Sequence, residues 1–325
     1  MVDLYSKRYY FFILSALIFL AGLVSYIIND GFKLDIQFEG GTVIEMRANK
    51  DTFTPENTQK VTQDIAALVQ KTVNKPASVQ KSTAYDTTGS SKGGFDVIRI
   101  SIGSKDTLTN SELTSVKEAI IKEYKLDATN ATISEETVEP FIGKELLQNG
   151  VTATLIAFAL IIVYVWFRFK VMSGLSAGVF AVVGVLHDLL VMLSVYLIFR
   201  IPVNESFIAA ILTVVGYSMN DTIIIYDRIR ENSRLLKKIP LPELVNQSIL
   251  QTLNRSINTV VTALIAITTV FIFSKVNGIE TMAEFSFPLI IGMATGCYSS
   301  IFIASPLYVM WKESQKKSKA RPVKA

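Results

Sequence analysis

Gly216-Tyr217-Ser218-Met219-Asn220-Asp221-Thr222-Ile223-Ile224-Ile225-Tyr226-Asp227-Arg228 closes an apolar run and carries a carboxylate, Asp221, inside it. An Asp near the middle of a membrane helix costs about 2.5–3.5 kcal/mol even on lenient insertion scales, so such residues face a bundle interior. Two readings account for it. Asp221 either fixes packing by hydrogen-bonding a neighbouring helix, or it stands on an ion pathway.

Composition supports a membrane setting. Half of the 325 residues are hydrophobic and 18% are charged, where a soluble domain has about a quarter charged. The chain is a membrane protein with a polar insert. The single cysteine, Cys297, excludes an intrachain disulfide or a cysteine-cluster metal site. The single histidine, His187, excludes a multi-histidine zinc site within this chain. No cofactor and no enzymatic constellation is expected. Basic residues gather at Lys7/Arg8, Arg168/Lys170, Arg228 to Lys238 and Lys312 to Lys324. Short basic runs beside spans set membrane orientation, so they give no reason to invoke nucleic acid.

Six apolar runs are long enough to cross about 30 Å of hydrocarbon: Tyr9–Ile28, Val151–Phe167, Gly174–Phe199, Phe207–Tyr226, Ile257–Phe273 and Phe285–Trp311. The first exceeds a signal-peptide core and lacks a small-x-small cleavage pattern, so an uncleaved span is expected. Six spans put both termini on one side, and every basic cluster then shares that side, the cytoplasm by the positive-inside bias. The expected organisation is a cytoplasmic N-terminus and first span (1–28), an extracytoplasmic α/β domain with the entry to the second span (29–150), a five-span bundle (151–311) with a cytoplasmic loop (228–254), and a basic cytoplasmic tail (312–325).

Within the insert, Leu34–Met46 and Phe95–Ile102 alternate as strands, while Glu56–Val73 and Ser111–Tyr124 carry apolar residues at helical spacing. Pro76–Lys81 and Ala131–Val138 supply short strands, and Tyr85–Gly94 is a loop by its Gly/Ser content. The order β-α-β-β-α-β is that of a ferredoxin-like α+β domain. Phe141 to Leu147 reads equally as an interfacial amphipathic segment or as the start of the second span. Leu244 to Leu253 reads as a helix on the cytoplasmic membrane surface.

Several polar residues stand inside the spans. Asp221 lies about 14 residues from Phe207, roughly 21 Å at 1.5 Å per residue. Tyr217 precedes it by one turn on the same face, Asn220 projects about 100° away, and Thr222 follows. Arg255 enters the fifth span at the cytoplasmic edge, where its side chain either climbs to Asp221 or snorkels outward to lipid phosphate. Asn258, Thr259 and Thr262 continue a polar stripe. His187-Asp188 falls near the middle of the third span as a second relay or a packing bond. Gly174/Gly178 and Gly292/Gly296 are spaced for close helix approach.

The fourth-span stretch, with Asp227-Arg228-Ile229-Arg230-Glu231-Asn232, resembles the signature of the SecF family of protein-export membrane proteins. Phe38-Glu39-Gly40-Gly41-Thr42, Pro140-Phe141-Ile142-Gly143-Lys144-Glu145-Leu146 and Asn254-Arg255-Ser256-Ile257-Asn258-Thr259 resemble further segments of it. Asp35-Ile36-Gln37-Phe38 and Glu139 depart from the family pattern. The resemblance implies a bacterial inner-membrane subunit that pairs with SecD in an assembly similar to resistance-nodulation-division transporters. It also implies contact with the Sec translocon channel and with unfolded exported proteins, and a coupling of proton flow to late translocation. It places the proton path at Asp221 and Arg255; His187 and Asp188 are further relay candidates, and Tyr217, Asn220, Thr222, Asn258 and Thr259 supporting polar groups. Competing readings are a half-transporter for small molecules or lipids, a passive translocon scaffold, and an intramembrane aspartyl protease using Asp188 and Asp221. The last lacks the Gly-x-Gly expected before its Asp.

Overall fold

The computed structural model describes residues 3–49, 52–54, 56–85, 94–103, 108–127, 132–169, 174–236, 239–277 and 279–320. Six of its helices are long and apolar enough to cross a membrane. They are α1 (Arg8–Ile28), α5 (Pro140–Arg168), α6 (Gly174–Phe199), α7 (Glu205–Leu235), α8 (Leu241–Asn277) and the run formed by α9 (Glu280–Ser299), a π turn (Ser300–Ala304) and α10 (Ser305–Ala320).

Several helices run well past the apolar segments that announce them. Residues 140–150 are the first turns of α5, so Phe141 to Leu147 is the start of the second span and not a separate interfacial segment; Pro140 at its first turn lacks only an N–H that a helix start leaves unpaired. The 228–254 connector is mostly helix as well. α7 continues to Leu235, and α8 starts at Leu241, where the surface helix expected there and the fifth span form one element. The intervening charges pair locally, as Arg230–Asp227 at 2.9 Å and Arg228–Glu231 at 2.5 Å, both three residues apart on one helix.

α6 is the central helix. Its buried residues include Ser176, Ala177, Gly178, Ala181 and Gly184, and small side chains let neighbouring backbones approach. α9 comes equally near α7: a Cβ added at Gly292 would stand 2.3 Å from Val214 Cγ2. By contrast α1 and α5 leave Leu20, Ile27, Leu155 and Leu160 exposed, a surface suited to lipid.

Between α1 and α5 stands an α/β unit. Its elements are α2 (Ile36–Glu39), β1 (Gly41–Arg47), α3 (Thr58–Val73), β2 (Ala77–Tyr85), β3 (Gly94–Gly103), α4 (Asn110–Tyr124) and β4 (Thr132–Val138). The four-stranded sheet has the order β2-β3-β1-β4 with every pairing antiparallel, Ile44 facing Ile100 of β3 and Glu135 of β4. Ile44, Met46, Ile98 and Ile100 of one sheet face pack on Ile65 and Val69 of α3 and Val116 and Ile120 of α4. α4 begins with a reciprocal capping box between Thr109 and Glu112. The backbone N–H and hydroxyl of Thr109 donate to the Glu112 carboxylate and hold it below the usual carboxylate range.

The strand expected over Leu34–Met46 begins later, at Gly41. Asp35 accepts from the Ile36 N–H at 2.6 Å and starts the one-turn α2, and Gly40 and Gly41 take positive φ of 82° and 145° that only glycine adopts cheaply. The tip expected at Tyr85–Gly94 falls at residues 86–93, outside the described residues.

The root of this unit is clasped by the bundle. Asp35 N–H donates to Val203 O at 2.9 Å, and Val203 N–H donates to Lys33 O at 2.8 Å, a short parallel bridge to the α6–α7 turn. Gln37 donates to Glu205 at 2.8 Å. On the other side α5 packs on α2 so closely that a Cβ at Gly143 would lie 2.6 Å from Phe38 O.

Candidate functional site

The polar residues of the spans separate into two neighbouring groups. One is hydrogen-bonded throughout. Asp188 on α6 is fully buried, and its Oδ2 accepts from Ser218 of α7 at 2.6 Å and from Ser299 of α9 at 3.0 Å. Its Oδ1 lies 3.2 Å from His187 Nδ1. His187 Nε2 in turn meets Ser15 of α1 at 2.7 Å and the Tyr298 hydroxyl at 3.5 Å. One carboxylate thus ties α6 to α7 and α9, and its histidine neighbour ties them to α1. A buried carboxylate that receives several donors is compensated for its lost hydration.

The backbone of the last span makes this possible. At the π turn Ser300–Ala304 the helix takes in an extra residue, a device found at functional positions in helices. Ser299 serves Asp188, while Ser300 bonds Thr222 of α7 at 2.9 Å. Ser305 Oγ donates to Ser300 O at 2.7 Å inside the turn. Gly296 keeps room for the cluster, since a Cβ there would lie 3.2 Å from Ser218 Cβ and 3.5 Å from Asp188 Oδ2.

Asp221 belongs to the second group, and its situation is the opposite. It is 1% exposed, and neither carboxylate oxygen has a hydrogen-bond partner among the described residues. The Tyr217 hydroxyl, one turn earlier, and Ser256 Oγ on α8 are likewise buried without a partner there. Arg255 on α8 is the cation whose charge reaches Asp221, yet the two form no ion pair within 4.0 Å among the described residues. Arg255 is itself exposed, as are Asn220 and Asn258, while Thr259 is half-buried and bonds back to Arg255 O at 2.9 Å. Arg255, Asn258 and Thr262 recur at three- and four-residue steps, so they share one face of α8.

Sequence reasoning singled out Asp221, Arg255, His187 and Asp188 but passed over Ser15, Ser218, Ser299 and Ser300, which connect the buried cluster. The signal available was the pair Ser299-Ser300 within a span, with Gly296 three residues before it. Which helix each serine would face is a matter of packing.

Below Asp221 the charged end of α7 is clamped. Arg168 of α5 bonds Asp227 at 3.0 Å, Arg228 donates to Gln251 of α8 at 2.6 Å, and Asn232 donates to Ser248 and Gln251 at 2.8 Å each. The Asp227-to-Asn232 stretch is thereby a structural tie between α5, α7 and α8.

The fold and this intramembrane cluster define a six-span α-helical membrane protein with a βαββαβ unit between its first two spans. Residues 116–314 match the family model described as protein export membrane protein SecD/SecF, C-terminal. The chain belongs to the SecD/SecF family of protein-export membrane proteins, and its work is in protein translocation. It is 32% identical to the protein translocase subunit SecF of Alicyclobacillus acidocaldarius over 99% of this chain and 97% of that one. It is 34% identical to SecDF of Bacillus subtilis over 97% of its own length but only 39% of that longer protein. The crystal structure of SecDF from Thermus thermophilus, a translocon-associated membrane protein, superposes with a TM-score of 0.74 at 28% identity, covering 96% of this chain and 39% of that one.

Proposed function

We propose that this chain couples proton flow across the bacterial cytoplasmic membrane to late translocation or release of exported proteins, as an accessory subunit of the Sec machinery. The observation that carries it is Asp221, a carboxylate buried in a span without a hydrogen bond among the described residues and within the field of Arg255. Such a group is satisfied either by a proton or by water, and that choice is what a proton-driven step requires. Asp221 is the proton site and Arg255 its counter-charge, with Tyr217, Asn220, Thr222, Asn258 and Thr259 supplying polar groups beside them. His187 and Asp188 act through Ser218.

The exposed Asn220, Arg255 and Asn258 support a partner. Polar side chains on an outer helix face are costly in hydrocarbon and are accommodated by another protein surface. The SecDF relatives carry the matching region within longer chains, which supports a SecD-type partner for it. The assembly works beside the Sec translocon channel on unfolded exported proteins.

The α/β unit, residues 29–150 with the helix entry, is a ferredoxin-like domain on the extracytoplasmic side, with both termini cytoplasmic. The β-α-β-β-α-β order and the basic residues at the opposite end of the spans support this arrangement. The test is proton flux into sealed proteoliposomes holding the chain with its SecD-type partner. Flux driven by a membrane potential is expected from the wild type and lost with Asp221→Asn. Equal flux in both would remove Asp221 from the path.

A further inference from the structure

We propose that Asp188 and Ser218 are positioning residues for Asp221, locking the roll of α7 about its own axis while taking no proton themselves. The proposal rests on the reading of Asp221 as the proton site.

Two hydrogen bonds fix that roll. Ser218 donates to Asp188 at 2.6 Å, and Thr222, one turn on, meets Ser300 at 2.9 Å. Both hold the same side of α7 against α6 and the π turn. Asp221 stands 100° from Thr222 and about 60° from Ser218 around a helix of 3.6 residues per turn. With Ser218 and Thr222 tied, Asp221 is turned off the serine ladder. The titratable and charged groups within reach of its field are Tyr217 on its own helix, Cys297 on α9 and Arg255 on α8.

Asp188 is built for an acceptor. Both oxygens are occupied, Oδ2 by two hydroxyls and Oδ1 by the His187 ring nitrogen. A carboxylate needs donors, and a side chain that shuttles protons needs an open approach. Asp188 is fully enclosed, with His187 and Tyr298 as its titratable neighbours. The π turn places Ser299 and Ser300 on both contacts at once, and Gly296 leaves the space they occupy. The cluster therefore works as a lock between three helices, and the helix it locks carries the unpartnered carboxylate.

The experiment is carbodiimide labelling of membranes containing the chain with its SecD-type partner, read by peptide mass mapping across pH. Dicyclohexylcarbodiimide adds to protonated carboxyls in apolar surroundings. In wild type the adduct is expected on the peptide holding Asp221, rising as pH falls, with Asp188 unlabelled. Asp188→Asn and Ser218→Ala should displace the Asp221 midpoint by about one pH unit, the effect of one hydrogen bond of ordinary net strength. Gly296→Ala deletes no hydrogen-bonding atom but crowds Ser218, and it should displace the midpoint as well. Assembly with the partner is checked by co-purification, and Ser218→Ala, the mildest change, keeps the test open should Asp188→Asn disrupt folding. An adduct on Asp188 that titrates on its own, or an Asp221 midpoint unmoved in all three variants, overturns the proposal while leaving Asp221 as the proton site. Absence of any titrating adduct at Asp221 in wild type defeats that earlier reading and the positioning role with it.

Discussion

Asp221→Asn separates stability from function: function should be lost while stability is kept or raised. The side chain keeps its shape and loses its charge. α7 starts from the Asn204 cap, and Asp221 lies about 17 residues further, roughly 25 Å along the helix at 1.5 Å per residue. That depth lies within the hydrocarbon of a 30 Å core. No hydrogen bond within the described residues is lost, because neither oxygen has a partner there. The substitution removes a charge worth about 2.5–3.5 kcal/mol of burial cost, so the complex should unfold at the same or a higher denaturant concentration. Function carries the loss. One proton crossing 100 mV delivers about 2.3 kcal/mol, which is a bias of about 50-fold on any step it drives, at 1.36 kcal/mol per factor of ten. The assay is export of a secretory precursor into inverted membrane vesicles, with and without an imposed gradient. The gradient-stimulated component should disappear, and export in the absence of a gradient should be retained. A variant that keeps full gradient stimulation in an intact complex refutes the reasoning.

Arg255→Gln should likewise abolish gradient stimulation in that assay, whereas Arg255→Lys, which keeps the positive charge, should retain part of it. Asn204 caps α7 through the Phe207 N–H at 3.0 Å and donates to Glu284 of α9 at 2.7 Å; Asn204→Ala should cost about 1–3 kcal/mol in denaturant unfolding of the purified complex. Ile98 is fully buried in the sheet core, and Ile98→Ala should destabilise the α/β unit by about 2–5 kcal/mol, visible as faster amide exchange in β1 and β3. Thr109→Ala should cost about 1 kcal/mol locally, read as fraying of α4 by amide exchange. Glu112 is held below its usual value by Thr109, so its contribution is present above the unfolded-state value and lost as pH falls through the folded one. Protection of the α4-start amides relative to their intrinsic exchange should therefore fall once the pH drops below the usual carboxylate range, and Thr109→Ala should blunt that response.

The six spans and their approximate places follow from residue pattern alone, because hydrocarbon thickness imposes a length and composition that no neighbour alters. Periodicity also located the two helices of the α/β unit and, for β3 and β4, strands within a residue or two. Asp221 stood out for the same reason: a charge in an apolar run is legible wherever the rest of the chain goes. Helix ends were less legible. Polar turns outside the membrane do not announce themselves by hydropathy, so α5 and α8 proved longer than their apolar cores. The late start of β1 depended on a local Asp35 cap and on positive φ at Gly40 and Gly41, which compete with strand alternation. Which groups become partners depends on how the spans pack. Asp188 and Asp221 look alike as isolated intramembrane carboxylates, yet one is enclosed by donors from three helices and the other has none among the described residues. That difference comes from the roll of α7 and the π turn at Ser300. Both are set by contacts between spans far apart in the chain, and no local pattern of residues contains them.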